Sequence, residues 1–96
     1  MRWLLALLVA LTSCAAHAEV RVTDDAGHSV VLASPAKRVI SLGPHLTELT
    51  YAAGGGDTLV GVIRYSDFPE AAKKVTVVGD AHAIDFERIA QLKPDL

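Results

Sequence analysis

Beyond residue 18, the side chains best suited to hold a transition metal are three histidines, His28, His45 and His82. Their spacings of 17 and 37 residues match no local ligand pattern, so no metal centre is expected. Gly54-Gly55-Gly56 invites a phosphate cradle, but it follows a helical pattern and precedes a strand. A phosphate loop needs the reverse order, with the amides at a helix start facing the anion. Turn and helix-stop chemistry explains it better. Ser41, Ser66, Asp67, Asp80 and Asp85 form neither a nucleophile elbow nor a paired base. No catalytic residue, cofactor or enzyme activity is therefore expected. Tyr65, between Arg64 and Ser66-Asp67, offers a flat apolar face with a polar tip. That suits a planar ligand as well as it suits packing over a sheet end. Glu87 reads as an exposed carboxylate near the start of a helix, where it favours the helix dipole.

These residues need elements to hold them. Val20–Thr23 and Ser29–Leu32 flank the turn residues Asp24-Asp25-Ala26-Gly27 and read as a β-hairpin, with His28 in its turn. Ser34–Arg38 is a polar linker. Val39–Leu42 reads as a buried strand, and Pro44 suits the first turn of the helix that follows. Leu46, Leu49, Ala52 and Ala53 keep helical spacing up to a stop at Gly54. Leu59–Ile63 is a second buried strand. Strand, helix and strand with short joints make a βαβ unit and imply a parallel sheet covered by helices. Pro69–Lys74 reads as one helical turn and Val75–Val78 as an extended stretch ending at Gly79-Asp80. Asp85 is an N-cap for a helix with Phe86, Ile89 and Leu92 on one face and Glu87 opposite. Lys93-Pro94 ends that helix, and Asp95-Leu96 opens a further strand.

The expected fold class is α/β, a three-layer α/β/α lobe on a mainly parallel sheet, preceded by the hairpin. In such sheets ligands bind at the C-terminal strand edge. His45 and His82 fall in loops at that edge and Tyr65 leaves the second strand there; with Pro44, at the start of the helix after the first strand, they are the candidate ligand-binding residues. A sheet interrupted as a strand begins points to a truncated lobe, so residues 38–96 are expected to be an incomplete piece of something larger.

Length, charge and leader bound the remainder. The chain has 96 residues and a formal charge of −2, or −3 once Arg2 leaves with a leader. That balance, without a basic run, argues against nucleic acid as a partner. Arg2 and the apolar run Trp3–Leu11 read as a signal peptide over residues 1–18, with Ala16-His17-Ala18 as the cleavage site. Leu11-Thr12-Ser13-Cys14 supports a competing reading as a lipoprotein anchor through Cys14. Either way the domain is exported. Cys14 is the one cysteine, so residues 19–96 hold no disulfide and no thiolate.

Several of these pieces, in order, resemble the periplasmic binding proteins of ABC importers for vitamin B12 and ferric siderophores. They are Arg38–Leu49, Leu59-Val60-Gly61-Val62, Tyr65-Ser66-Asp67-Phe68-Pro69, Val78-Gly79-Asp80, Asp85–Ile89 and Leu92–Leu96. The Tyr-Ser-Asp-Phe-Pro and Glu-Arg-Ile pieces most resemble the cobalamin-binding branch. The resemblance implies two α/β lobes joined by a rigid helix, with ligand captured between them and delivered to an inner-membrane ABC permease. It covers the first lobe only; the second lobe is absent. Tyr65 matches the tyrosine that packs on the corrin ring, and Glu87 matches the glutamate that docks on permease arginines. Asp80 stands where haem-binding relatives often carry a tyrosine. Ala81-His82 stands where a cobalamin relative carries an aromatic residue. The implied protein is periplasmic and monomeric, with cobalamin or a ferric chelate as its small-molecule ligand. The alternatives are a ferric siderophore or haem binder of the same family, or a metal-dependent exported protein built on His45 and His82.

Overall fold

The structure, a computed structural model, describes residues 18–96. The leader reading and Cys14 therefore lie outside the described residues, apart from Ala18. The chain divides into two compact units between Pro35 and Ala36.

The first unit carries the expected hairpin. Strands β1 (Val20–Thr23) and β2 (Ser29–Leu32) pair antiparallel, with Val20 opposite Leu32 and Thr23 opposite Ser29. Asp24 builds the turn. Its Oδ1 accepts from the main-chain N–H groups of Ala26 at 2.9 Å and His28 at 2.8 Å, an Asx-type turn. Gly27 supplies the positive φ of 85° that this turn needs. His28 Nδ1 lies 3.2 Å from Asp24 Oδ2 and serves the turn.

The second unit is a βαβ core. Strand β3 (Val39–Ser41) leads through Gly43 into helix α1 (Pro44–Ala52), and β4 (Leu59–Val62) returns parallel to β3. Pro44 sits in the first turn of α1, where its missing N–H costs nothing. Helix α1 ends in a Schellman motif. Gly54 N–H donates to Tyr51 O at 3.0 Å, Gly55 N–H donates to Thr50 O at 2.8 Å, and Gly54 has φ 85°. The glycine run is thus a helix stop, and Gly56 lets the Tyr51 ring lie against the backbone.

Two further segments extend the parallel sheet, one on each side. Val77 bridges Val62, with Val62 N–H donating to Thr76 O and Val78 N–H donating to Val62 O. On the other side Ile40 N–H donates to Leu96 O at 2.9 Å and Leu96 N–H lies 3.4 Å from Arg38 O. That is the bond pattern of a parallel partner centred on Val39. The strand order is thus Val77, β4, β3, Leu96, and the chain reverses its direction of travel across the sheet beside β3.

Helix α2 (Phe86–Leu92) and α1 cover opposite faces of this sheet. Ser41 bonds to Thr47 of α1, while the Ile40 and Leu92 side chains both crowd the Cβ position of Gly61. Neighbouring residues of a strand point to opposite faces, so the α1 and α2 layers lie on different sides. The α/β class and its three layers follow. The buried core is small: Leu59, Val62, Ile63, Ala72 and Val78. Each fully buried valine stabilises the fold by about 1.5–3 kcal/mol.

Two details differ from the sequence reading. Leu46 and Leu49, whose spacing reveals α1, are exposed, and the inward residue is Thr47, at 0% exposure. Phe86, expected on the same face as Ile89 and Leu92, is 75% exposed, whereas Ile89 and Leu92 are half-buried. It lies in the first turn of a seven-residue helix whose other end, through Leu92, meets β4.

Lys37 and Arg38, at the end of the polar linker, form a clamp. Asp95 accepts from the main-chain N–H groups of Lys37 at 2.9 Å and Arg38 at 2.8 Å. Arg38 Nε and Nη2 both donate to Leu92 O, at 2.8 and 2.7 Å, on the last carbonyl of α2. A cation at a helix C-terminus is favoured by the dipole. Among the described residues no helix is long and apolar enough to cross a membrane.

Candidate ligand-binding rim

Three loops leave the C-terminal edge of the parallel strands and enclose one concavity of about 290 Å³. Leu42 comes from the loop after β3 and Pro44 from the first turn of α1, Arg64 and Tyr65 from the turn after β4, and Asp80 and His82 from the loop after Val78. This volume falls just below the roughly 300–1,000 Å³ of pockets that enclose a drug-sized ligand. It is suited to be one wall of a larger site.

Tyr65 is 75% exposed. It occupies the third position of a turn closed by Ser66 N–H donating to Ile63 O at 3.3 Å, with φ 69°. A bulky side chain in the left-handed region costs on the order of 1–3 kcal/mol. The turn persists because both of its ends are fastened. Arg64 N–H donates to Gly79 O at 2.8 Å. Ser66, 4% exposed, bonds through its hydroxyl to Thr47 Oγ1 at 3.1 Å.

Thr47 is the hub of that fastening. Its hydroxyl also lies 2.8 Å from Ser41 Oγ and 3.3 Å from Gly43 O, and Ser41 Oγ donates to Gly43 O at 3.0 Å. A hydroxyl carries one proton and two lone pairs, so Thr47 donates once and accepts from a neighbour. Among the described residues no buried side-chain N or O lacks a partner. This hydroxyl cluster joins the ends of β3 and β4 to α1. It sets the positions of the first two rim loops.

The third loop is shaped by Gly79 and Asp80. Gly79 has φ 145°, and a Cβ there would fall 2.4 Å from Ala83 O. Asp80 Oδ1 accepts from His82 N–H at 2.8 Å and Ala83 N–H at 3.0 Å. These two bonds, helped by the charges of Arg64 and His82, hold the Asp80 carboxyl below its ordinary 3.8.

The structure thus brings Pro44, Tyr65 and His82 together in one concavity. His45 does not line it; the ring is exposed and lies against Gly43, within 2.9 Å of where a Cβ would stand. Among the described residues no three His, Cys, Asp or Glu side chains converge on a point where a metal would sit. Glu87 is exposed on the first turn of α2, behind the Asp85 cap that accepts from Arg88 N–H at 3.0 Å. Arg64 and Asp80 are rim residues that the sequence did not single out as binding groups. Arg64's place next to Tyr65 and Asp80's place after Val78-Gly79 at a strand end were the available signals.

Comparison with known proteins agrees with this geometry. Residues 39–96 match the family model described as periplasmic binding protein. The chain is 56% identical over 64 residues to a vitamin B12-binding protein of Vibrio vulnificus, covering 67% of this chain and 23% of that protein. It is 59% identical, over the same coverage, to a vitamin B12-binding protein of Yersinia pestis. Among solved structures it is similar to the periplasmic vitamin B12 binding protein BtuF of Vibrio cholerae. There the TM-score is 0.62 and the identity 52%, over 64% of this chain and 24% of that one. A periplasmic haem binding protein from Pseudomonas aeruginosa gives a TM-score of 0.60 and 37% identity, over 62% and 22%. These relatives are named for binding, not catalysis. The chain spans about a quarter of the length of the curated relatives it matches, at 23%. A parallel βαβ core with its concavity on the C-terminal strand edge and a family match over residues 39–96 lead to one assignment: the chain belongs to the periplasmic binding protein family.

Proposed function

We propose that this protein is the periplasmic solute-binding component of an ABC importer and that its ligand is cobalamin. The observation that carries the reading is Tyr65. It stands exposed at the sheet's C-terminal edge in a strained turn fastened at both ends. Strain held in place by its surroundings marks a side chain presented for use. A flat aromatic face of this kind packs against a planar macrocycle. The vitamin B12-binding relatives at 56% and 59% identity favour the corrin over other ligands.

In this reading residues 1–18 direct export and residues 19–37 form the hairpin and linker. Residues 38–96 supply the first wall of an inter-lobe cleft, with Pro44, Tyr65 and His82 on the ligand and His45 at its margin. The small concavity agrees, since the opposite wall belongs to a second lobe. The loaded protein, a monomer, then docks on the inner-membrane permease through Glu87. An exposed charge in this setting steers encounter more than it adds affinity.

A haem ligand is the second reading, favoured by the similarity to the Pseudomonas aeruginosa protein. The test is calorimetric titration of the gene product at its full native length with cyanocobalamin, haem and a ferric hydroxamate chelate. Saturable binding of cyanocobalamin at one site, with weaker binding of the other two, is the expected result. Tight binding of haem or the ferric chelate with no heat from cyanocobalamin overturns it.

A further inference from the structure

Each arginine among the described residues has a side-chain partner except Arg64. Arg21 pairs with Glu19, Arg38 caps Leu92 O, and Arg88 reaches Asp85 and Val77 O. The Arg64 guanidinium makes no hydrogen bond or ion pair among the described residues, yet it lines the concavity beside Tyr65. Across the concavity's floor its main-chain N–H donates to Gly79 O at 2.8 Å, which sets Asp80 next to it. Asp80 spends Oδ1 on two backbone bonds, and Oδ2 accepts none among the described residues. Both residues line the same concavity, and their side chains form no ion pair with each other. The rim therefore presents a free donor fork and a free anionic acceptor side by side.

One common group matches such a pair. A primary carboxamide has an oxygen that accepts and an NH2 that donates. We infer that Arg64 and Asp80 together bind a primary carboxamide on the edge of the ligand, Arg64 donating to the amide oxygen and Asp80 Oδ2 accepting from the amide N–H. A carboxylate in the same place leaves Asp80 without a donor and sets two negative charges together, which is a rejection built from repulsion. This inference rests on the cobalamin reading. A corrinoid carries primary amides around its edge, whereas haem carries carboxylates. The pair thus selects between macrocycles that stack equally well on Tyr65.

The experiment uses the full-length protein and two corrinoids: cyanocobalamin and the same molecule with one peripheral amide hydrolysed to the acid. Haem is the third ligand. D80N is the informative variant, because the Asn Oδ1 still accepts from His82 and Ala83 and the loop is kept. We expect D80N to weaken cyanocobalamin by about tenfold, the scale of one charged hydrogen bond. We also expect it to narrow the preference for cyanocobalamin over the acid corrinoid and over haem. R64Q, at an exposed side chain that holds nothing else, should weaken cyanocobalamin without lowering the melting temperature, so the test survives if D80N folds poorly. Wild-type binding of cyanocobalamin with unchanged affinity in both variants overturns this inference and leaves the cobalamin reading standing. An equal loss of affinity for all three ligands in D80N overturns it too. No binding of cyanocobalamin by the wild type overturns both.

Discussion

Thr47 Oγ1 and Ser66 Oγ lie 3.1 Å apart, both buried, and their bond fastens the Tyr65 turn to helix α1. Thr47 is also bonded to Ser41 at the end of β3. One polar side chain at a position where a helix usually turns an apolar residue inward thus fixes two rim loops at once. Replacing Thr47 with the isosteric valine keeps the volume and strands the neighbouring hydroxyls. We expect Thr47→Val to destabilise the fold by roughly 1–3 kcal/mol, the cost of an unmet buried polar group. Urea denaturation checks it, with the midpoint shifting and the slope unchanged.

Tyr65 separates stability from function. Its φ of 69° disfavours any side chain, and 75% of it is in solvent, so little packing is lost when it is cut back. Tyr65→Gly should raise stability by up to about 1 kcal/mol through relief of strain. Tyr65→Ala should weaken cobalamin binding by roughly 1–2 kcal/mol, the scale of lost ring packing. Thermal melts and calorimetry read the two effects. Unchanged affinity in Tyr65→Ala counts against the pocket.

Gly79 tolerates no side chain. At φ 145° an alanine Cβ meets Ala83 O at 2.4 Å, and backbone cannot move aside cheaply. Gly79→Ala is expected to cost more than about 2 kcal/mol, beyond the usual range of surface changes. A melting temperature within a degree or two of wild type would contradict the loop geometry.

The loop at Asp80 has a pH dependence of definite sign. Its carboxyl, held by the His82 and Ala83 amides, titrates below the ordinary 3.8. Asp95, held by the Lys37 and Arg38 amides, does the same. A depressed folded value means the contribution is complete above 3.8 and is lost as pH falls through the folded value. The amide resonances of Lys37 and Arg38, bonded to Asp95, and of Ala83, bonded to Asp80, should therefore show an acid titration step with its midpoint below 3.8. A midpoint above 3.8 would reverse the sign.

Glu87→Arg should leave ligand affinity and melting temperature as they are, since the side chain is exposed. It should impair ligand uptake by cells carrying the matching permease. Normal uptake would remove Glu87 from the docking surface.

The local elements were legible because each is written in short-range chemistry. Pro44 and Gly54 bracket α1, Asp85 caps α2, and Asp24 with Gly27 turns the hairpin; each acts within a few residues. The βαβ order was enough to place Pro44, Tyr65 and His82 on one sheet edge. That follows from topology, because parallel strands send their exit loops to the same side. The sequence alone also pointed to the family, through several short pieces kept in order. Tertiary structure decided what depends on contacts between distant residues. It turned Thr47 inward instead of Leu46 and Leu49, because only there do Ser41 and Ser66 satisfy a buried hydroxyl. It made a clamp of Arg38 and Asp95 across 57 residues. It left His45 outside the concavity and set Arg64 beside Asp80 through the bond to Gly79. Hydrogen bonds and charge pairs of that kind depend on where two loops meet, and no local spacing encodes it.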